Sequence, residues 1–318
     1  MSSSTAEIAY LNYISRISLT FGGLILFITG IIGNSINIFV FSFFPQFNKG
    51  STPVFLLFSF ISSLTTLLTG LLPQLVFRLS GTDPLVTYLV LCKLRWFIGI
   101  GSATVAVHCL SLAAANQYLL TSRHIRHHQW INRRRALLMC LVVTIYSLGS
   151  ISPNLVYYTH IKNSINQTQC DITNTIAATY NTYNGLIIYS LLPIIVLSTF
   201  SLLTWWNIRH KMIRQASIEQ SLTRLVFAQI TMVLLASIGF VIRRIYLLYT
   251  KDFAKNTYQI AQENVANSAF TLIGFIIHSF SFLTYLISSK PFRQNISSLL
   301  FTKKHRIQPT TNLMRTTP

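Results

Sequence analysis

Seven long apolar stretches, separated by short polar segments, run along this chain of 318 residues. A helix needs about 20 apolar residues to cross a hydrocarbon core about 30 Å thick. A soluble domain could not bury seven such runs, whereas in lipid each run satisfies its own backbone hydrogen bonds by being helical. The pattern predicts an all-α fold, a seven-transmembrane helix bundle with spans at 17–44, 53–77, 87–119, 136–158, 183–206, 225–249 and 265–288.

The basic residues orient this bundle. The chain has 25 Lys and Arg against 6 Asp and Glu, and its mean hydropathy of +0.51 argues against the nucleic-acid binding that so basic a soluble protein would indicate. The segments after spans one, three, five and seven hold 16 of these 25 basic residues, and five of the six acids lie on the other side. Positive loops stay in the cytoplasm. We therefore expect an extracellular N-terminus at 1–16, a transmembrane domain at 17–290, a membrane-surface helix at 291–301 and a cytoplasmic tail at 302–318.

Two of the four cysteines lie on the predicted outer side. Cys92 begins span three and Cys170 follows span four, so a disulfide between them would fix that loop to a helix end in an oxidising compartment. The alternative is two free thiols. Cys109 lies about 25 Å deeper in span three, and we expect it and Cys140 to be ordinary core residues.

A glycosylation sequon lies in the same outer loop. The triplet Asn166-Gln167-Thr168 predicts a sugar on Asn166. A second triplet begins at Asn295 but faces the cytoplasm, where it would stay unmodified.

Several motifs fall at recognisable places in these spans. Span one contains Gly33-Asn34, spans four and five contain Pro153 and Pro193, and span seven ends near Tyr285, seven residues before Phe292. With the two outer cysteines, this pattern resembles the rhodopsin-like (class A) G-protein-coupled receptors from about residue 20 to 301. The compact third inner loop and the Cys-Lys-Leu-Arg-Trp start of span three look most like invertebrate neuropeptide-type receptors.

The resemblance implies a function and partners. A member of this family would sit in the plasma membrane, bind an extracellular peptide or small-molecule ligand, and signal through a heterotrimeric G protein, with membrane lipids around it. It would be no enzyme, would need no cofactor, and would not bind nucleic acid. The stretch 291–301, with apolar residues at helical spacing, would be the family's amphipathic eighth helix.

The chain departs from the family where the family's switch residues lie. The Asp/Glu-Arg-Tyr motif of span three is Asn116-Gln117-Tyr118 here, and the Asn-Pro-x-x-Tyr motif of span seven keeps only Tyr285. Span two lacks the family's aspartate, and span six has no proline. We predict that Asn116, Gln117, Tyr118 and Tyr285 form the switch that faces the G protein. Their divergence keeps a second hypothesis open, a non-signalling decoy or scaffold that has lost coupling.

Enzymatic and transport chemistry find little support in the sequence. No catalytic or metal-ligand spacing is present, and the single histidines His108 and His278 are predicted to be satisfied core residues. Transporters and channels usually carry ionisable residues inside the membrane. No Asp, Glu, Lys or Arg falls in the middle third of any predicted span.

Basic residues also gather at the outer ends of the spans. They are Arg78, Lys93, Arg95, Arg243 and Arg244. Such side chains commonly snorkel into the headgroups, but they could also form a cationic rim that attracts an acidic ligand. Our candidate ligand-binding residues are Arg95, Trp96, Arg243, Tyr246 and Glu263. Glu263 could pair with one of the arginines or receive a cationic group of the ligand.

Basic residues on the inner side flank Trp130. They are Arg123, Arg126 and Arg133 to Arg135. They are expected to contact anionic lipid, and the alternative is a docking surface for a cytosolic partner.

Overall fold

The computed structural model describes residues 2–45, 47–48, 50–122, 130–162, 168–210, 217–250, 253 and 255–300. Its main elements are helices, which confirms the all-α prediction. The first four are α1 (Ser2–Phe43), α2 (Thr52–Thr66, Leu67–Leu71 and Leu72–Ser80), α3 (Leu89–Leu94, Arg95–Gly99 and Ile100–Leu120) and α4 (Arg133–Ile151 and Pro153–Tyr157). The others are α5 (Thr175–Asn184, Gly185–Leu191 and Leu192–His210), α6 (Ser217–Tyr249), α7 (Thr257–Ser279 and Ser281–Ser288) and α8 (Lys290–Leu300). A short helical turn, Pro84–Thr87, joins α2 to α3.

Seven of these helices match the predicted spans. Six are long and apolar enough to cross a membrane as single segments, and the two parts of α7, bent by 54°, together make a seventh. Several begin earlier than their apolar runs: α1 starts at Ser2 and α7 at Thr257. Apolar runs mark only the lipid-facing part of a helix, whereas caps decide where it starts. In α7 the side chains of Asn256 and Gln259 form a reciprocal capping box.

A β-hairpin connects α4 to α5. Its strands are β1 (Tyr158–Lys162) and β2 (Thr168–Ile172), which pair antiparallel with His160 opposite Cys170. The hydropathy pattern does not predict this hairpin. The prediction that Tyr158 ends span four is wrong, because this residue starts β1. Five-residue strands of mixed polarity give too weak a periodic signal to be read from sequence alone.

The predicted disulfide between Cys92 and Cys170 is confirmed. The Cα atoms of the two residues lie 5.7 Å apart, and the bond attaches β2 to the outer end of α3. Cys109 and Cys140 are free and buried, with their sulfur atoms 4.0 Å apart between α3 and α4. Asn166, the predicted glycosylation site, lies outside the described residues.

The inner half of the bundle closes around an aromatic core. The buried rings of Phe41, Phe60 and Phe292 surround Tyr285, with ring centroids 5.5 to 6.0 Å from its own. Phe292 belongs to α8, so the predicted eighth helix is confirmed and is held to the bundle by this side chain. The Tyr285 hydroxyl has no hydrogen-bond partner among the described residues.

Candidate functional site

A cavity of about 360 Å³ opens between the outer halves of α2, α3, α5, α6 and α7. We call it the main cavity. Its walls are largely apolar and aromatic, with Trp96 from α3, Tyr189 from α5, Phe240 from α6, and Phe270 and Phe275 from α7. It extends along two turns of α7, from Phe270 to His278, about 12 Å at 1.5 Å per residue. A concave, mostly apolar pocket with a few polar groups is the usual form of a ligand site.

Three short π-helical segments contribute walls to the main cavity. They interrupt α2 at Leu67–Leu71, α3 at Arg95–Gly99 and α5 at Gly185–Leu191. Each supplies lining residues: Gly70 from the first, Arg95, Trp96 and Gly99 from the second, Gly185 and Tyr189 from the third. Isolated π-helical turns inside α-helices are rare and often lie at functional sites. Because all three segments line the same cavity, we take the main cavity as the candidate ligand site.

Two arginines in the main cavity lack anionic partners. The Cζ atom of Arg95 lies 5.0 Å from the centroid of the Trp96 ring, and that of Arg244 lies 5.1 Å from the Phe240 ring. Neither guanidinium forms a hydrogen bond or an ion pair with any described side chain; the one ion pair in the described residues joins Lys255 to Glu263. Both side chains are half-buried, and a charge withdrawn from water without a partner is costly. The pair is therefore suited to an anionic ligand group.

The rim beside these arginines is built by the hairpin. The ring of Tyr158 stacks on Trp96, with centroids 4.9 Å apart and 15° between the ring planes. Burial raises the pKa of the Tyr158 phenol above its ordinary value, so this group stays neutral and supplies no negative charge to Arg95 or Arg244. His160 further ties the hairpin down, because its Nε2 lies 2.7 Å from the carbonyl oxygen of Leu85.

A second cavity, of about 710 Å³, lies between the outer ends of α6 and α7. We call it the vestibule; it adjoins the main cavity, and Arg243 and Phe270 line both. Here Glu263 accepts a hydrogen bond of 2.7 Å from the Tyr246 hydroxyl and forms an ion pair with Lys255, 2.7 Å away. Of the two alternatives for Glu263, pairing with an arginine is not found in the described structure, because the carboxylate pairs with Lys255. Reception of a cationic group of the ligand stays a prediction. Arg243 instead donates through Nε to the side chain of Asn267, at 2.9 Å.

The five candidate ligand residues thus fall into two compartments. Arg95 and Trp96 line the main cavity, Tyr246 and Glu263 line the vestibule, and Arg243 lines both. Arg244 was predicted to lie on the rim but was not among the candidate ligand-binding residues. The wall residues Tyr189, Phe240 and His278 were not predicted from the sequence. Only the packing of the helices shows which face of each helix turns inward.

The floor of the main cavity adjoins the bend in α7. His278 Nδ1 lies 3.1 Å from the Ser63 hydroxyl, whereas its Nε2 has no partner among the described residues. The expectation of a satisfied core histidine therefore holds for one ring nitrogen only. His108 Nε2 is likewise buried without a described partner. At the bend, Asn34 of α1 donates through Nδ2 to the carbonyl oxygen of His278, at 2.7 Å.

The inner ends of the helices are joined by uncharged hydrogen bonds. Gln117 of α3 donates through Nε2 to the Thr52 hydroxyl of α2, at 3.0 Å, and accepts from the Thr223 hydroxyl of α6, at 2.8 Å. Its neighbour Asn116 donates to Thr52, at 2.8 Å, and accepts from Ser51, at 3.1 Å. Both side chains are buried. Asn116 and Gln117 therefore help to link α2, α3 and α6 without any charge.

The other inner residues have packing roles. The Tyr118 ring packs on Phe200 of α5, with centroids 5.7 Å apart. Arg133 donates to both side-chain and backbone oxygens of Asn48, so this member of the basic inner cluster braces α4 against the first inner loop. Arg123 and Arg126 lie outside the described residues.

The sequence profile of the 7 transmembrane receptor (rhodopsin family) matches residues 33–288. This chain belongs to that family. The receptor is accordingly a multi-pass membrane protein of the G-protein-coupled class, and the matched interval contains every candidate ligand and switch residue. No curated protein sequence matches the chain.

Proposed function

We propose that this protein is a plasma-membrane receptor that binds an extracellular peptide or small-molecule ligand in the main cavity and signals through a heterotrimeric G protein. The proposal rests on one observation: α3 and α6 both line the main cavity at their outer ends and are hydrogen-bonded to each other at their inner ends. Arg95 and Arg244 line the main cavity, while Gln117 and Thr223 join the inner ends of the same two helices, α3 and α6. At 1.5 Å per residue, Thr223 and Arg244 are about 31 Å apart along α6.

This arrangement supports a simple coupling mechanism. A ligand that draws α3 and α6 together or apart at the cavity would tilt two helices whose inner ends are held by neutral hydrogen bonds. Such interhelical bonds contribute about 0.6 kcal/mol on average in membrane proteins. A modest difference in ligand affinity between the closed and open bundles is then enough to shift their populations.

The proposed orientation rests on charge and on the disulfide. The segments after spans one, three, five and seven carry most of the basic residues, and the Cys92–Cys170 bond lies at the opposite end, beside the main cavity. Positive segments favour the cytoplasm and disulfides favour the oxidising side. The main cavity would therefore open to the extracellular fluid. The resemblance to invertebrate neuropeptide-type receptors supports a peptide as one of the two ligand kinds.

The test is recruitment of G proteins in cells. The receptor is expressed at matched surface level beside an empty vector, and binding of a panel of Gα subtypes is followed by resonance energy transfer, without added ligand. We expect recruitment of at least one subtype above the vector. Absence of recruitment for every subtype, in the wild type and in variants that loosen the inner hydrogen bonds, would favour the decoy or scaffold hypothesis, which family membership alone does not support.

A further inference from the structure

The ligand of the main cavity can be narrowed to one chemical class. We infer that it presents a carboxylate to Arg95 and Arg244 and places an apolar body among the aromatic walls. This inference rests on the proposed function, because it specifies the ligand of the same site. The carboxylate could belong to either of two kinds of ligand, a peptide with a free C-terminus or a small organic acid.

The balance of charge in the main cavity is the first argument. Its described lining includes three arginines, Arg95, Arg243 and Arg244, and no carboxylate. Asp83 acts on Arg95 electrostatically without forming an ion pair in the described structure. Glu263, the acid of the vestibule, is already engaged by Lys255 and Tyr246. The site therefore has an excess of positive charge that nothing in its described walls neutralises.

The position of the guanidinium groups is the second argument. Snorkelling to lipid headgroups would turn them outward, but both face the interior of the bundle. Arg244 reaches across to α5, where a Cβ atom added to Gly185 would lie 3.2 Å from its Nη2. Arg95 and Arg244 both act electrostatically on the Tyr158 phenol, as does Asp171 of the hairpin, so the two cations lie near one side chain of the rim. A planar guanidinium matches a carboxylate through two parallel hydrogen bonds.

The rest of the cavity indicates an apolar body behind the carboxylate. Its depth is lined by four aromatic side chains, Tyr189, Phe240, Phe270 and Phe275. The floor offers Nε2 of His278, which has no hydrogen-bond partner in the described part of the chain. A volume of about 360 Å³ is near the lower end of the range for small-molecule sites. It fits an arylalkyl acid or the last side chain and carboxylate of a peptide, rather than a large folded hormone.

The test compares acids with their amides on purified receptor. The probes are 3-phenylpropanoate against 3-phenylpropanamide, and the dipeptide N-acetyl-Ala-Phe as free acid against its C-terminal amide. Each is added at ~10 mM, because one charged anchor on a small body gives weak affinity, and thermal unfolding is followed. We expect at least one acid to raise the unfolding temperature by about 2–4 °C while its amide does not.

Variants assign the effect to the arginines. Arg95→Gln and Arg244→Gln should each abolish the difference between acid and amide. Lys93→Gln removes the same charge two residues before Arg95, outside the lining of the main cavity, and should retain the difference. If the glutamine variants do not purify, Arg95→Lys and Arg244→Lys keep the charge but lose the planar fork, and should weaken the acid by about tenfold.

Several outcomes would overturn the inference. They are equal shifts by acid and amide, no shift with either acid, or a difference that survives both glutamine variants. A response to the small acid alone or to the dipeptide acid alone supports the inference and identifies the source. Because unfolding involves no G protein, failure of this test leaves the signalling proposal standing, and failure of recruitment leaves this result standing.

Discussion

The hydroxyl of Thr223 donates a hydrogen bond of 2.8 Å to the side-chain oxygen of Gln117, and thereby joins α6 to α3 at the inner end of the bundle. Gln117 simultaneously donates to Thr52 of α2. In the family that this chain belongs to, a charged motif occupies this position, and here amides and hydroxyls perform the linkage. In the proposed mechanism these neutral bonds hold the closed state, and one conservative substitution can remove the bond to α6.

The first prediction concerns this link. Thr223→Val keeps the shape of the side chain and removes its donor, at a cost of roughly 0.6–1.7 kcal/mol for an interhelical bond. Ligand-independent G-protein recruitment should therefore rise about 3- to 20-fold at equal surface expression. Thr231→Val on the same helix is the matched control, because that exposed hydroxyl bonds only to its own helix, at Phe227. Equal responses of the two variants would exclude a role for the Gln117 contact.

The second prediction concerns a change that should strengthen the inner contacts and lower basal recruitment. The double variant Asn116→Asp with Gln117→Arg introduces a charged pair at the position where Asn116 now accepts from Ser51. Charge-assisted hydrogen bonds contribute roughly 1.5–3 kcal/mol, against 0.5–1.5 for neutral ones, so basal recruitment should fall below that of the wild type. Gln117→Arg alone lacks the neighbouring carboxylate and should not do this. High basal recruitment that the double variant leaves unchanged would show that these residues do not hold the closed state.

The third prediction concerns the bend in α7. Asn34 is fully buried, donates to the His278 carbonyl and accepts from the Ser281 hydroxyl across the break in the helix. Asn34→Leu would leave both groups without this partner and should reduce the free energy of unfolding by about 1–3 kcal/mol. Thr29→Val, five residues earlier on α1, removes only bonds within its own helix. Thermal unfolding of the purified variants should show a clear loss for the first and little change for the second.

The fourth prediction concerns the close approach of α1 to α7. A Cβ atom added to Gly33 would lie 2.7 Å from the Cβ atom of Phe282, which is rigidly placed on its helix. Gly33→Ala should therefore cost about 1–3 kcal/mol through overpacking. At Gly149 in α4 an added Cβ atom would meet no described atom within 4 Å, so Gly149→Ala should be neutral or stabilise by up to about 1 kcal/mol. Similar unfolding temperatures for the two variants would contradict the packing described for α1.

The fifth prediction tests the disulfide and the orientation together. Cys92→Ala and Cys170→Ala should each reduce surface expression, and the double variant should lose no more than either single one, because the two residues share one bond. On intact cells an N-terminal tag should be accessible to antibody and a C-terminal tag should not. The opposite pattern of tags would put the main cavity in the cytosol and remove the basis of the proposed function.

Much of the fold follows from one-dimensional patterns. Apolar runs identify the seven helices because each run must satisfy its own backbone in lipid. The spacing of Cys92 and Cys170 within that topology was sufficient to predict their bond, and the pattern around Phe292 was sufficient to predict α8. These features depend on the local composition of a segment and on the side of the membrane where it lies. Both can be read from the order of apolar and basic residues along the chain.

The contents of the site depend on the tertiary structure. The sequence places basic residues at the outer ends of α3 and α6, but only helix packing shows that Arg95 and Arg244 share one cavity. Packing likewise decides that Glu263 forms its ion pair with Lys255. The π-helical turns that rotate the outer parts of α2, α3 and α5 leave no signal in hydropathy. Gln117 was recognised as a departure from the family, but its partners Thr52 and Thr223 lie 65 and 106 residues away. Hydropathy specifies that a segment is a helix and where it lies in the membrane; the rotation of each helix about its axis is set by side-chain contacts between helices, and that rotation decides which residues meet.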